Sequence, residues 1–338
     1  MSTNEVLVTG GAGFIGSHTV VALSEAGFTP VILDNFVNSE RFIVDTLSEL
    51  LDKKIELIDC DCSKFEKLSQ ELQGRSFSGT IHFAAYKAVG ESVEKPLDYY
   101  RNNIESLHAL LQLGPEITGP IVFSSSCTVY GQPKELPVSE QAPTVLPESP
   151  YGRTKLMCEQ ILQDTIPVQA GKAAILRYFN PIGAHPSAKI GELPRGVPNN
   201  LVPFITQAAA GLREKLTVFG DNYQTPDGSC IRDYLHVMDL AEAHVAALNW
   251  LLNQPVGTLD TFNLGTGTGS SVLEVLNAFE KATGKQVPYD IGPRREGDVE
   301  QVWAQADKAK EVLGWQTMRS LEESLADAWR WQQKVTNQ

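Results

Sequence analysis

Eight residues near the start of the chain, Thr9-Gly10-Gly11-Ala12-Gly13-Phe14-Ile15-Gly16, restrict the fold more than any other stretch. They stand between a strand-like run, Glu5-Val6-Leu7-Val8-Thr9, and a helical pattern from Ile15 to Glu25. Gly11, Gly13 and Gly16 satisfy GxGxxG, and Gly10, Gly13 and Gly16 satisfy GxxGxxG. Glycines at these spacings permit a tight turn and let backbone approach a pyrophosphate at the helix N-terminus. The pattern alone also fits a purely structural turn. Its place at the opening of a βαβ unit points to dinucleotide binding.

Further strand-like runs follow at Pro30–Asp34, Ile55–Asp59, Gly79–Phe83, Pro120–Ser124 and Ala173–Tyr178, each rich in Val, Ile and Leu and separated by helical patterns. Runs of that kind belong to a parallel sheet buried on both faces, so the expected architecture is a Rossmann-type, doubly wound α/β fold. After Asn180 the chain becomes rich in Pro and Gly through Pro203. A helix is expected over Leu201–Leu212 and a strand over Lys215–Phe219, within a smaller mixed α/β domain. The apolar helix Asp239–Leu252 reads as returning to the first domain. The first domain is set at residues 1–179 plus about 234–258, and the second at about 180–233 plus 259–338.

The chain of 338 residues carries 28 Lys+Arg against 41 Asp+Glu, a net charge of −13. An acidic balance argues against nucleic-acid or anionic-membrane binding, which need a basic face. No run of apolar residues is long enough for a membrane span, and no signal peptide is recognised. Five cysteines, of which Cys60 and Cys62 alone lie close together, suggest a reduced, cytoplasmic chain. No Cys/His set has zinc-ligand spacing, so no metal is expected.

Asp34 ends the second strand, 18 residues beyond Gly16. An acid there accepts from an adenosine ribose and repels a 2′-phosphate, which favours NAD over NADP. The bland alternative is a strand-end cap. Asp61 and Cys62 follow the third strand and could sit over the adenine, although Cys62 also reads as core. Tyr151 and Lys155 share a helix face in Ser149-Pro150-Tyr151-Gly152-Arg153-Thr154-Lys155. A neighbouring ammonium favours phenolate, making Tyr151 a candidate general base. The run Ser124-Ser125-Ser126-Cys127-Thr128 begins at a strand's C-terminal end, where ligands gather in such sheets, and supplies a hydroxyl from Ser126. For Ser124 and Ser125, capping and turn chemistry is the expectation.

These motifs, with His82-Phe83-Ala84-Ala85-Tyr86-Lys87, Arg177-Tyr178-Phe179-Asn180-Pro181, Pro198-Asn199-Asn200-Leu201, Arg232-Asp233-Tyr234 and Pro293-Arg294-Arg295-Glu296-Gly297-Asp298, resemble those of the extended short-chain dehydrogenase/reductases, and within them the UDP-glucose 4-epimerase family. The likeness runs from Val6 to about Trp331. It implies interconversion of UDP-galactose and UDP-glucose through a transient 4-keto sugar, on tightly bound NAD, in a homodimer. It implies a catalytic set of Tyr151, Lys155, Ser126 and Thr128. Cofactor contacts would come from Gly10, Gly13, Phe14, Ile15, Gly16, Asp34, Asn35, Asn38, Ser39, Asp61, Cys62, Phe83, Ala84, Ala85, Lys87, Asn102 and Phe179, together with Ser126, Tyr151 and Lys155. On the substrate side, Ser126, Tyr151, Asn180, Asn200 and Leu201 would contact sugar or diphosphate, and Arg232 and Arg295 the phosphates. Val218 and Phe219 would frame the uracil, and Asp298 the uridine ribose. Val302 stands where the glucose/galactose-restricted bacterial pattern has tyrosine, which leaves room for N-acetylated UDP-hexoses. The rivals are another nucleotide-sugar epimerase or dehydratase on this fold, a simple dehydrogenase, and a non-catalytic nucleotide-sugar sensor.

Overall fold

Alternate residues of the first strands point to opposite sides and are buried on both, which is the mark of a sheet sandwiched between helices. The computed structural model describes residues 4–295 and 298–336. Its strands are β1 (Glu5–Thr9), β2 (Thr29–Asp34), β3 (Glu56–Asp59), β4 (Gly79–His82), β5 (Ile121–Ser124), β6 (Ala173–Tyr178), β7 (Asn180–Ile182), β8 (Leu216–Phe219), β9 (Ile231–Arg232), β10 (Tyr234–His236), β11 (Leu259–Leu264), β12 (Ser270–Ser271), β13 (Tyr289–Gly292) and β14 (Gln301–Val302). The helices are α1 (Phe14–Glu25), α2 (Phe42–Leu50), α3 (Phe65–Glu71), α4 (Val89–Glu94), α5 (Pro96–Leu113), α6 (Pro115–Thr118), α7 (Pro150–Thr165), α8 (Leu201–Ala209), α9 (Val237–Leu252), α10 (Val272–Thr283) and α11 (Leu321–Thr336).

Seven strands form one sheet in the order β11-β6-β5-β4-β1-β2-β3, and each pairing is parallel. The order runs outward both ways from the β1–β4 boundary, which creates the crevice where such sheets take ligands. Val6, Val8 and Ile32 face one core with α1 and α9, whereas Leu7, Val31 and Leu33 face the other with α3 and α5. Each of these six side chains is buried, so truncating one such as Leu7 to Ala removes about 2–5 kcal/mol.

Helix α9 does return to this sheet, as the sequence suggests: Leu240, Ala241, Ala247 and Leu248 join the core shared with Val20, Val21 and Leu23 of α1. The boundary drawn at residue 259 needs correction. β11 pairs with β6 along Leu259–Leu264, so this strand belongs to the main sheet. Its Asp260, Thr261 and Asn263 break up the apolar run that marks the interior strands. The second region has its own core, in which Ile205 of α8, Val275 and Phe279 of α10 and Leu325 of α11 pack together. Its helix α10 opens on a reciprocal cap, with Ser271 Oγ accepting from Glu274 N and Glu274 Oε2 accepting from Ser271 N.

Candidate active site

The glycine turn has the geometry that a dinucleotide requires. Gly10 adopts φ +70°, and a Cβ there would stand 2.9 Å from the Ala84 nitrogen on the next strand's loop. A Cβ on Gly16 would meet the Gly10 carbonyl oxygen at 2.2 Å. Only glycine therefore lets α1 start this close to β1. The first turn of α1 carries neither a side-chain cap nor an acid. Its free amides suit a pyrophosphate. At the end of β2, Asp34 Oδ2 accepts from Ala12 N at 3.0 Å, while Oδ1 accepts from Phe36 N at 2.9 Å and from Ser39 Oγ at 2.8 Å. The carboxylate thus ties the turn to the loop of Asn35, Asn38 and Ser39, and each oxygen has two lone pairs, so Oδ2 keeps capacity for a ribose hydroxyl. Both readings of Asp34, cap and ribose acceptor, are compatible with this geometry.

The loop after β4 completes the wall. Phe83 lies against His244 of α9 with ring centres 4.7 Å apart, and Lys87 Nζ lies 5.8 Å from the Phe14 ring centre. Ala84 N donates to Thr9 Oγ1 at 3.4 Å, and Ala85 is half-buried beside it. Asn102 donates to Asn103 Oδ1 at 3.0 Å. Asp61 is half-buried and holds Ser63 N at 2.9 Å, whereas Cys62 is buried with its thiol toward Ser106 O. Burial raises that thiol's pKa, so Cys62 is packing rather than a reactive group.

The groups expected to handle protons converge where β5 ends. Lys155 Nζ donates to Ser124 O at 2.7 Å and lies 5.9 Å from the Tyr151 ring centre. Ser126 Oγ accepts from Thr128 N at 3.2 Å and from Thr128 Oγ1 at 3.1 Å. With both lone pairs engaged, the Ser126 hydroxyl proton is left to donate outward. Tyr151 and Lys155 are both buried. Burial raises the Tyr151 phenol well above its usual value, and a hydrogen bond from Ser126 acts the other way. Burial also lowers the Lys155 ammonium from 10.5 to about 8. It is still the protonated form that prevails at pH 7.

The residues expected to meet substrate come from residue 180 onward. Arg232 pairs with Asp298 at 2.5 Å, and the Arg295 guanidinium carbon lies 3.9 Å above the Phe219 ring. Asn180 N is held by Asp233 O at 2.9 Å, and Asn200 precedes Leu201 at the start of α8. Val218 behaves differently: its side chain is 1% exposed and packs in the second core, so Phe219 alone presents a side chain outward. Val302 is buried with Val129, Tyr130 and Phe179 in a small cluster between the two regions, against Cys127.

Several site-building residues were not legible in the sequence. Ser124 and Ser125 are not caps: Ser124 Oγ meets Tyr178 Oη at 2.9 Å, and Ser125 Oγ donates to Glu159 at 2.5 Å. Glu159 lies one turn beyond Lys155 and forms a buried pair with Arg177 of β6, which in turn donates to Tyr130 Oη at 2.9 Å. Asn103 accepts from Tyr86 N at 2.8 Å and donates to Tyr86 O and Thr154 Oγ1, which fixes the loop after β4 to α7. An Arg-Glu pair on separate strand and helix patterns was the available signal for the first of these, and a lone Asn offered none.

The GDP-mannose 4,6 dehydratase family profile matches residues 7–328. A UDP-glucose 4-epimerase from Yersinia pestis is 51% identical over 97% of this chain and 97% of its own. The chain belongs to the UDP-glucose 4-epimerase branch of that family. The structural comparisons agree. The UDP-glucose 4-epimerase of Stenotrophomonas maltophila, solved with bound NAD and formylated UDP-arabinopyranose, superposes with a TM-score of 0.95 at 45% identity, covering 98% of this chain and 99% of the other. That of Bifidobacterium longum, in complex with NAD+ and UDP, gives 0.94 at 43% identity over 98% and 99%. Membership in the epimerase family accounts for a site built from phenol, ammonium and hydroxyl groups on a dinucleotide fold.

Proposed function

We propose that this chain is an NAD-dependent isomerase that interconverts UDP-galactose and UDP-glucose by inverting C4. The observation that carries this reading is the convergence of Tyr151, Lys155, Ser126 and Thr128 at the end of β5, two strands from β1 and its glycine turn in the same sheet. The glycine turn, the uncapped start of α1 and Asp34 would hold NAD, with Phe83, Ala84 and Lys87 alongside. Bound NAD supplies the hydride acceptor and donor that carry C4 through a ketone, and in its oxidised form a positive charge that offsets the burial cost of a phenolate. Tyr151 takes the proton from the sugar 4-hydroxyl and later returns it. Lys155 supports the phenolate electrostatically and holds α7 against β5. Ser126, oriented by Thr128, donates to the reacting oxygen.

The diphosphate meets Arg232 and Arg295, whose guanidinium groups suit paired phosphate oxygens. Engaging Arg232 draws it from Asp298, which frees that carboxylate for the uridine ribose. Elimination of water from the sugar, as in a dehydratase, calls for an acid beside the hydroxyl, and Ser126-Cys127-Thr128-Val129 offers none. Entry of N-acetylated UDP-hexoses is part of the proposal, because valine rather than tyrosine fills position 302. A homodimer through α5 and α7 is proposed as well, since Leu97 is 80% exposed at the start of α5 and Met157 is exposed on α7. Action in the cytoplasm fits five free cysteines. Among the described residues no helix is long and apolar enough to cross a membrane. Incubating the protein with UDP-galactose and no added NAD tests the reading. UDP-glucose should appear without net NADH, and failure to convert even with NAD supplied would refute it.

A further inference from the structure

Residues 192–195 belong to the second region but bond to the first at two points. Glu192 Oε1 accepts from Lys87 Nζ at 3.2 Å and from Asn200 Nδ2 at 2.7 Å, joining a residue of the loop after β4 to one at the start of α8. Arg195 reaches the loop after β2. It donates to Glu40 Oε1 at 2.9 and 3.1 Å, to Ser39 O at 2.7 Å and to Phe36 O at 3.3 Å, and it also bonds Val37 O. β4 and β2 flank β1. Their ends are therefore about 10 Å apart, at about 4.8 Å per neighbouring strand. Three residues of extended chain span about 10 Å, so 192–195 has the length to pass over the end of β1, where the glycine turn opens.

Both sides of this segment are anchored in its own region. Ala184 bridges Gly191, Trp331 Nε1 donates to Glu192 O at 2.8 Å, and α8 begins at Leu201. The Arg195 tie is solvent-facing, with Arg195 and Glu40 47% and 42% exposed as side chains, whereas in the Lys87 tie the Glu192 side chain is only 11% exposed. Exposed pairs contribute little to global stability, so their consequence is local.

Building on the reading above, we propose that residues 192–195 are a strap over the dinucleotide, clasped by Glu192 on Lys87 and by Arg195 on the loop 36–40, and that the clasps set how slowly the dinucleotide leaves. Asn200 shares the Glu192 carboxylate, so the residue that clasps Lys87 also holds a side chain expected on the substrate side.

The test loads the full-length protein with NAD, removes free NAD on a desalting column, and follows release by chromatography of the separated nucleotide at intervals. Arg195→Ala and Arg195→Ala/Glu192→Gln should release NAD faster by about two- to fivefold, the consequence of losing an exposed charge-assisted clasp. Arg195→Lys should recover only part, because one ammonium cannot reach a carboxylate and several carbonyls together. Glu40→Gln weakens the same clasp from an exposed loop and covers the case in which a strap variant fails to fold; it too should speed release. Release rates equal to the unaltered protein's in the folded variants, Glu40→Gln included, would overturn the strap. An unaltered protein that neither carries nor takes up NAD would instead overturn the functional reading on which the strap rests.

Discussion

Lys155 Nζ donates to the Ser124 carbonyl oxygen at 2.7 Å, binding α7 to the last residue of β5 two positions before Ser126. The bond places a buried ammonium near the Tyr151 ring, and burial lowers its pKa from 10.5 to about 8. In the proposed mechanism the protonated lysine is the working form, so raising the pH through about 8 would remove the charge that supports the phenolate. Turnover of UDP-galactose should therefore fall on an alkaline limb near that pH. Lys155→Arg keeps its charge throughout, so its residual activity should lack the limb. A limb of the same position in both proteins would contradict this role.

Tyr151→Phe removes the group proposed as general acid–base. Turnover should fall by about 10²–10⁴-fold with an unchanged far-ultraviolet CD spectrum. Thr128→Val withdraws the hydroxyl that orients Ser126, a single neutral hydrogen bond of about 1 kcal/mol, and should lower kcat by about fivefold. Activity of Tyr151→Phe within about tenfold of the unaltered protein would remove Tyr151 from the mechanism.

Glu159 and Arg177 form an ion pair whose side chains are 1% and 7% exposed. Glu159→Ala leaves a buried guanidinium with one side unpaired and should cost about 3–5 kcal/mol in urea unfolding. It also releases Ser125, so activity should fall even at temperatures where the chain remains folded. A loss under about 1 kcal/mol would show that the pair is not integral to the fold.

Val302 is buried in the cluster that also packs against Cys127, the residue between Ser126 and Thr128. Val302→Tyr should lower turnover of UDP-N-acetylgalactosamine much more than that of UDP-galactose. Equal, negligible activity toward the N-acetylated sugar in both proteins would contradict the assignment of position 302.

Much of the fold was legible because the strands of a parallel sheet are buried on both faces and so read as uninterrupted apolar runs: β6 over Ala173–Tyr178 matches its run residue for residue. β11 escaped because its Asp260, Thr261 and Asn263 carry bonds of their own, Asn263 accepting from Tyr130 Oη at 2.7 Å. At the site, Tyr151 and Lys155 were legible because their spacing is local to one helix. Glu159, Asn103, Glu192 and Arg195 act on partners up to 159 positions away. Nothing in their own neighbourhood distinguishes them from solvated surface residues.

The central claim is that the hydrogen at the sugar's C4 leaves and returns within one site. UDP-galactose deuterated at C4, turned over by the protein without added NAD and read by NMR, tests it most directly. The UDP-glucose formed should keep its deuterium at C4. UDP-glucose with hydrogen from solvent at C4, or an accumulating keto sugar with deuterium elsewhere, would contradict it.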